Sequence, residues 1–418
     1  MKEIHTQPAV VSLVYREGLG PVFVPQSATV AGFLAAAGCN THLAVFTPLG
    51  EFIRPRLAQR WREVRRAVRQ VFPGPLTRLP SPPSRFPNAW NEPRLLSAWL
   101  RSRRASSPAP ILHCRNAVTT NLALLATSSS PIIYDCRGLE DAEFLYQQGY
   151  RSAQEAPPEI QSRATGLTAL QRNAALKSNA ILCVSEAMRQ YLRAAFSVPD
   201  TKMTVVPCCV DWTRYRDLER ERDAMRGKLN LSDRFVVVFS GSSQRWQLPQ
   251  ESLAVFKIIK DLQPDAHCLV LANEPQRMTR FVREAGLGEN DATVLRVEAS
   301  DMPRHLAAGD VALLLREECA VNQVASPVKF AEYLASGLPV ILTRGIGDYS
   351  ALVEREGVGL IVPQHDPAVQ KQSLDAFLTR YRADRTGLRR RCRAFAETHL
   401  SWQTNVRAIT NLCERLTA

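Results

Sequence analysis

Lys329 and Glu332 are the side chains whose spacing is best suited to chemistry. They lie three apart in Ser326-Pro327-Val328-Lys329-Phe330-Ala331-Glu332-Tyr333-Leu334-Ala335-Ser336-Gly337-Leu338-Pro339. Serine followed by proline reads as an N-cap and first helical position, and the glycine and proline at the far end stop a helix. A spacing of three puts lysine and glutamate on one face, close to first-turn N–H groups that suit a phosphate. A carboxylate there can accept hydrogen bonds from two neighbouring sugar hydroxyls, and a lysine can neutralise phosphate. The same spacing equally suits an intrahelical ion pair worth only about 0.2–0.5 kcal/mol, and the residue types alone do not choose between the two.

Other candidates are more scattered. Gly18-Leu19-Gly20 follows an apolar run, but the spacing is not Gly-x-Gly-x-x-Gly and there is no Walker A sequence. Arg115 and Arg137 each stand just beyond a strand-like run, at the edge where parallel sheets place ligands, and could equally pair with Glu140, Asp141 or Glu143. His113 reads as a packed strand residue. Ten cysteines, with Cys208 and Cys209 adjacent, show no Cys-x-x-Cys and no zinc spacing, which points to reduced thiols. The sequence contains neither Asp-x-Asp nor His-Glu-x-x-His, so no metal ligand set is expected.

The elements that must position these residues alternate between strand and helix. In the second half, 235–240, 267–272, 293–297, 311–315, 340–343 and 358–362 read as strands, with helices at 249–262 and 275–285. The first half repeats the pattern with strands at 9–15, 42–46, 111–113, 132–135 and 181–184 and helices at 28–37, 56–71, 119–126 and 167–179. Such alternation implies an α/β chain with two doubly wound parallel sheets. The proline-rich stretch 72–93 is expected to be a long loop. The charged segment 206–234 reads as the domain boundary.

Net charge is 53 minus 40, or +13. Residues 54–115 hold fourteen arginines, two glutamates and no lysine or aspartate, so this segment carries +12 of it. Such a field points to an anionic partner. Within it, Trp61, Val64, Val68 and Val71 form one helical stripe among arginines, suited either to an anionic membrane surface or to a core. The residues before Ala9 lack the apolar run of a signal peptide, and no run of about 18 apolar residues occurs to span a membrane.

Taken in order, several pieces resemble the family-4 retaining glycosyltransferases with the GT-B fold. The 326–339 segment, with the loop Gly345-Ile346-Gly347-Asp348, resembles their donor-site signature. Phe239-Ser240-Gly241-Ser242 with Arg245 resembles their glycine turn, and Ile181 to Ser185 with Val205-Val206-Pro207 and Val210-Asp211 resembles their strand and crossover. His113-Cys114-Arg115 and Asp135-Cys136-Arg137-Gly138 are similar to a subgroup that places arginine where other members have histidine. One departure stands out: of the two glutamates eight positions apart in many members, the first is Val324 here and the second is Glu332.

The resemblance implies two Rossmann-like domains facing a cleft, at 1–208 and 209–393, with 394–418 a helix packing back on the first. It implies a nucleotide-sugar donor, a saccharide or lipid-linked acceptor in envelope or exopolysaccharide assembly, retention of configuration, and neither cofactor nor metal. Glu332 would hold the ribose, while Arg245 and Lys329 would hold the diphosphate with Gly241, Ser242 and Ser326 around it. Arg137 would lie near the reacting phosphate, and Gly20 and Arg115 on the acceptor side. The expected location is cytoplasmic and peripheral on the inner face of the cytoplasmic membrane, with residues 54–115 touching anionic lipid. A nucleotide-sugar epimerase, an arginine-rich nucleic-acid binder and a non-catalytic homologue remain alternatives. Nucleic acid is not expected, since no interleaved aromatic motif accompanies the arginines.

Overall fold

Strand-length apolar runs end up buried on both faces, as parallel strands covered by helices must be. Leu13, Leu43, Val237 and Val270 are wholly inaccessible. The computed structural model describes residues 7–20, 22–82, 92–103, 109–363 and 366–417. It contains two compact units, Met1–Pro207 with Asn405–Ala418, and Cys208–Thr404. The return to the first unit thus lies at Asn405, whereas the expected return was at 394.

The first unit holds β1 (Ala9–Tyr15), β2 (Asn40–Pro48), β3 (Leu76–Ser81), β4 (Ile111–Arg115), β5 (Ile132–Cys136), β6 (Ala180–Cys183) and β7 (Met203–Val205). They form one sheet in the order β3-β2-β1-β4-β5-β6-β7, and every pairing is parallel. The second unit holds β8 (Phe235–Gly241), β9 (Ala266–Ala272), β10 (Ala292–Leu295), β11 (Val311–Leu314), β12 (Val340–Leu342) and β13 (Gly359–Ile361), in the parallel order β10-β9-β8-β11-β12-β13. Both orders reverse direction once, between β1 and β4 and between β8 and β11. In doubly wound sheets that switch point opens a crevice at the carboxyl ends of the strands.

Three expectations need correction. The stretch 72–93 is not all loop: β3 lies within it, and Pro80 is accommodated because β3 is an edge strand, where a missing donor costs no ladder bond. Pro93 falls in the first turn of the helix Glu92–Ser102, while 83–91 lie outside the described residues. The boundary segment contains the helix Leu218–Lys228, whose Arg222 and Arg226 are buried. Finally, the stripe of the helix Pro55–Val71 is core. Trp61 and Val68 are buried against Phe23 and Phe72, with Val64 and Val71 packed beside them, so this face is closed to any membrane.

All ten cysteines are free thiols, eight of them buried. No described helix is long and apolar enough to cross a membrane.

Candidate functional site

In the second unit the helix Val328–Ala335 is fastened to the switch point by one hydroxyl. Tyr333 Oη accepts the Ser240 N–H at 2.7 Å and donates to the Ser240 carbonyl at 3.2 Å, next to the last residue of β8. Tyr333 is wholly inaccessible, so burial pushes its phenol far up and the hydroxyl stays protonated for both bonds. An internal tyrosine on an apolar helix reads as core from sequence, and its polar task was missed for that reason.

On this anchored helix, Lys329 Nζ donates to Glu332 Oε2 at 3.1 Å, with side chains 25% and 16% exposed. The pair therefore sits at the surface of the site, partly shielded from water. Ser326 is not the N-cap that its position suggests: Pro327 occupies that place and no side chain caps the helix. The Ser326 hydroxyl is buried, accepts the Cys208 N–H at 2.9 Å and shares a hydrogen bond with Tyr349 Oη at 2.7 Å, so it is committed to internal partners.

The turn after β8 is equally constrained. Gln247 Oε1 accepts the Ser242 N–H at 2.9 Å and would lie 2.5 Å from a Cβ on Gly241, which explains the glycine. Asn322 Nδ2 reaches the Trp246 carbonyl at 3.3 Å and the Glu317 carbonyl at 2.8 Å, stitching the Arg245–Gln247 turn to the loop after β11. Arg245 itself extends outward, 76% exposed, with Nε 3.9 Å from Glu317 Oε2. Arg316, just past β11, was missed by sequence reasoning although an arginine ending an apolar strand is a usable signal. Its guanidinium is buried, and that burial lowers its pKa to about 10. Val324 is buried, leaving Glu317 as the carboxylate nearest Arg245.

In the first unit the β1/β4 switch point gathers charge. Arg115 Nε lies 2.8 Å from Glu17 Oε2, and Arg137 Nε lies 2.7 Å from Asp135 Oδ1. These partners replace the expected Glu140, Asp141 and Glu143. His113 is buried between Ser12, whose Oγ is 3.4 Å from Nδ1, and Asp135, whose Oδ2 is 3.4 Å from Nε2. Burial alone would raise the Asp135 carboxyl, but Arg137, with His113 and Arg115, holds it well below the carboxylate range. Gly20 donates its N–H to the Glu17 carbonyl at 2.7 Å, closing the turn that leads into a π-helical segment, Phe23–Ala28.

That segment places Gln26 and Ser27, both buried, into a small pocket with Ser12, His113, Arg115 and Asp135. Neither the Gln26 amide nor the Ser27 hydroxyl has a hydrogen-bond partner among the described residues. Buried groups of this kind normally bond to a polar partner, and a single water molecule is enough to supply one.

Two family descriptions match consecutive parts of the chain: Glycosyltransferase Family 4 over residues 27–214, and Glycosyl transferases group 1 over residues 221–399. The chain belongs to the family-4 glycosyltransferases. No curated protein matches it. Among solved structures, a glycosyltransferase from Rickettsia africae is similar over 99% of both chains, at 13% identity and a TM-score of 0.69. Anabaena Alr3699/HepE in complex with UDP is similar over 97% of this chain and 99% of its own, at 14% identity and a TM-score of 0.68. WaaG, a glycosyltransferase involved in lipopolysaccharide biosynthesis, is similar over 97% of this chain and 99% of its own, at 14% identity and a TM-score of 0.63. With the two parallel sheets, these likenesses give this glycosyltransferase the GT-B fold.

In this glycosyltransferase, Gly241, Ser242, Lys329 and Glu332 stand on neighbouring elements joined by Tyr333, with Arg245 at the rim and Ser326 behind them. Gly20, Arg115 and Arg137 belong to the first unit's crevice. Beside Arg115, two more carboxyls are tuned. Glu140 accepts the Ala117 N–H at 2.5 Å, and burial, with repulsion from Glu17, pushes both Glu140 and Glu143 up to about 7. A raised folded value means the folded state holds protons that the unfolded chain has already lost. Stability of the glycosyltransferase is therefore expected to fall as pH rises from about 4.5 to about 7. Unfolding midpoints across that window check this, and Glu140→Gln with Glu143→Gln should flatten the profile.

Proposed function

We propose that the protein moves a hexose from a nucleotide sugar to a saccharide acceptor with retention of configuration and without a metal ion. The observation that carries the reading is the Lys329–Glu332 face, pinned by Tyr333 against the Gly241–Ser242 turn at a switch point. On this reading Glu332 exchanges its lysine for the ribose hydroxyls, and Lys329 turns to the diphosphate. Arg245, long and largely exposed, leaves Glu317 to close over the same phosphates. Departure of the nucleoside diphosphate is the hard step, and each cation that tightens on the developing charge lowers it by roughly 3–4 kcal/mol. Support for a nucleotide-sugar donor also comes from the similar HepE structures, which hold UDP or UDP-glucose.

The acceptor reading rests on the first unit. Arg137, steadied by Asp135, is a fixed cation for the reacting phosphate or the acceptor, and Arg115 supports the same crevice. The pocket of Gln26, Ser27 and His113 offers hydrogen-bond donors and acceptors suited to one sugar hydroxyl. The likeness to WaaG supports a lipid-linked saccharide of envelope assembly as the acceptor class.

A thermal-shift panel of UDP, GDP, ADP and their glucose conjugates tests the donor half. The cognate nucleotide, at about 100 times its Kd, is expected to stabilise by roughly 2.7 kcal/mol. No stabilisation by any nucleotide, or stabilisation that survives Glu332→Ala unchanged, would overturn the assignment.

A further inference from the structure

Residues 54–115 are expected to touch anionic lipid, and the structure changes which of them are available for that task. Seven large apolar side chains are exposed among the described residues, and three of them fall together: Leu49 at 50%, Phe52 at 39% and Ile53 at 79%. They flank or lie on the single helical turn Gly50–Ile53, which buries nothing of its own. Yet the turn is not loose. Glu51 Oε2 accepts the Trp61 Nε1–H at 2.7 Å, Arg78 donates to the Glu51 carbonyl at 3.3 Å, and the Arg78 guanidinium lies 4.0 Å from the Phe52 ring centroid. Three apolar side chains are thus held out into solvent by a braced support.

Arginine surrounds this tip. Arg54 and Arg56 follow it directly, and the outward face of the helix Pro55–Val71 carries Arg62, Arg65, Arg66 and Arg69, all exposed. None of these six forms an ion pair with another described residue, and Glu63 is the sole acid on the helix. A row of unneutralised guanidinium groups seeks phosphate, and an isoleucine and a leucine beside it seek hydrocarbon. Nucleic acid satisfies the first need alone, since aliphatic side chains neither stack on bases nor bond to their edges. An anionic bilayer satisfies both at the depth where headgroups meet acyl chains.

We infer that Leu49, Phe52 and Ile53 insert into an anionic membrane while Arg54, Arg56 and the arginine face of the following helix lie on its headgroups. These residues belong to the first unit, whereas the donor-site residues belong to the second. Flotation of the full-length protein tests it, using vesicles of phosphatidylcholine alone and of phosphatidylcholine with about one-third phosphatidylglycerol. Binding is expected to the anionic vesicles only, to weaken with salt, and to fall about tenfold or more in Ile53→Asp. Arg62→Glu with Arg66→Glu should abolish it. Both variants change exposed positions and should keep the wild-type unfolding midpoint, which separates a lost surface from a lost fold. Failure to bind either vesicle, equal binding to both, or wild-type binding by Ile53→Asp would overturn the inference. So would displacement from vesicles by a DNA duplex whose binding ignores Ile53→Asp, an outcome that assigns the arginines to nucleic acid.

Discussion

Glu332→Ala is expected to raise the donor KM about 100-fold while changing kcat far less, because on the proposed reading it removes hydrogen bonds from a charged acceptor to hydroxyls remote from the breaking bond. Two such bonds at about 1.5 kcal/mol each give that factor, and bonds equally strong in ground and transition states act on KM. Lys329→Ala is expected to act in the opposite sense. On the same reading it removes a cation whose contact strengthens as the diphosphate leaves, so kcat should drop by about 10²- to 10³-fold. Steady-state kinetics with varied donor separate the two. Neither change should disturb folding, since the pair is a partly exposed contact on one helix. If Glu332→Ala lowered kcat with an unaltered donor KM, the ribose assignment would fail and the carboxylate would have to be placed nearer the sugar.

The largest effect on stability should follow from Asp310→Asn. Asp310 is buried at the start of β11, with Oδ1 2.7 Å from Arg222 Nη2 and 3.0 Å from Arg385 Nη2, and Oδ2 3.2 Å from Arg226 Nη1. It also accepts the Val236 N–H at 2.8 Å and the Tyr381 hydroxyl at 3.1 Å. One carboxylate thus ties the helix Leu218–Lys228, the first strand of the second sheet and two carboxy-terminal helices. Burial by itself would raise its pKa, but Arg222, the Val236 N–H, Arg385 and Arg226 hold it down. The amide keeps the shape and removes the charge, leaving buried guanidinium groups uncompensated at a cost of about 3–5 kcal/mol. Denaturant unfolding checks this. Because the folded value is depressed, the contribution is intact above the unfolded carboxylate range and lost as pH falls, so the variant should also lack part of the acid sensitivity of the wild type.

That aspartate and its arginines show what the residue string conceals. Strands such as 235–240 and 311–315 are legible because a parallel strand buried on both faces must be continuously apolar. Lys329 and Glu332 are legible because helical spacing puts them together whatever the tertiary surroundings. By contrast, Arg222 and Arg226 read as solvated charges in a linker, since the carboxylate that lets them be buried lies more than eighty positions away. Ser326 was misread, and Tyr333 passed over, for a related reason: their hydroxyls bond to backbone brought near only by folding. Gln26 and Ser27 carried no pattern at all, because a π-helical turn has no periodicity of its own in so short a segment.

Within the second unit its first and last stretches run side by side, with the Val210 N–H on the Leu400 carbonyl and the Trp402 N–H on the Val210 carbonyl, each at 2.9 Å, and the chain then passes a second time into the first unit. The second passage delivers Ile409, Leu412 and Cys413 into the interior of the first unit, where the Cys413 thiol meets Cys39. The first unit is therefore completed by residues synthesised after the whole of the second. The second unit, unbroken in sequence, can finish before it, which inverts the usual amino-terminus-first order of maturation. A fragment cut after Pro207 would carry an open apolar seam where those late residues belong.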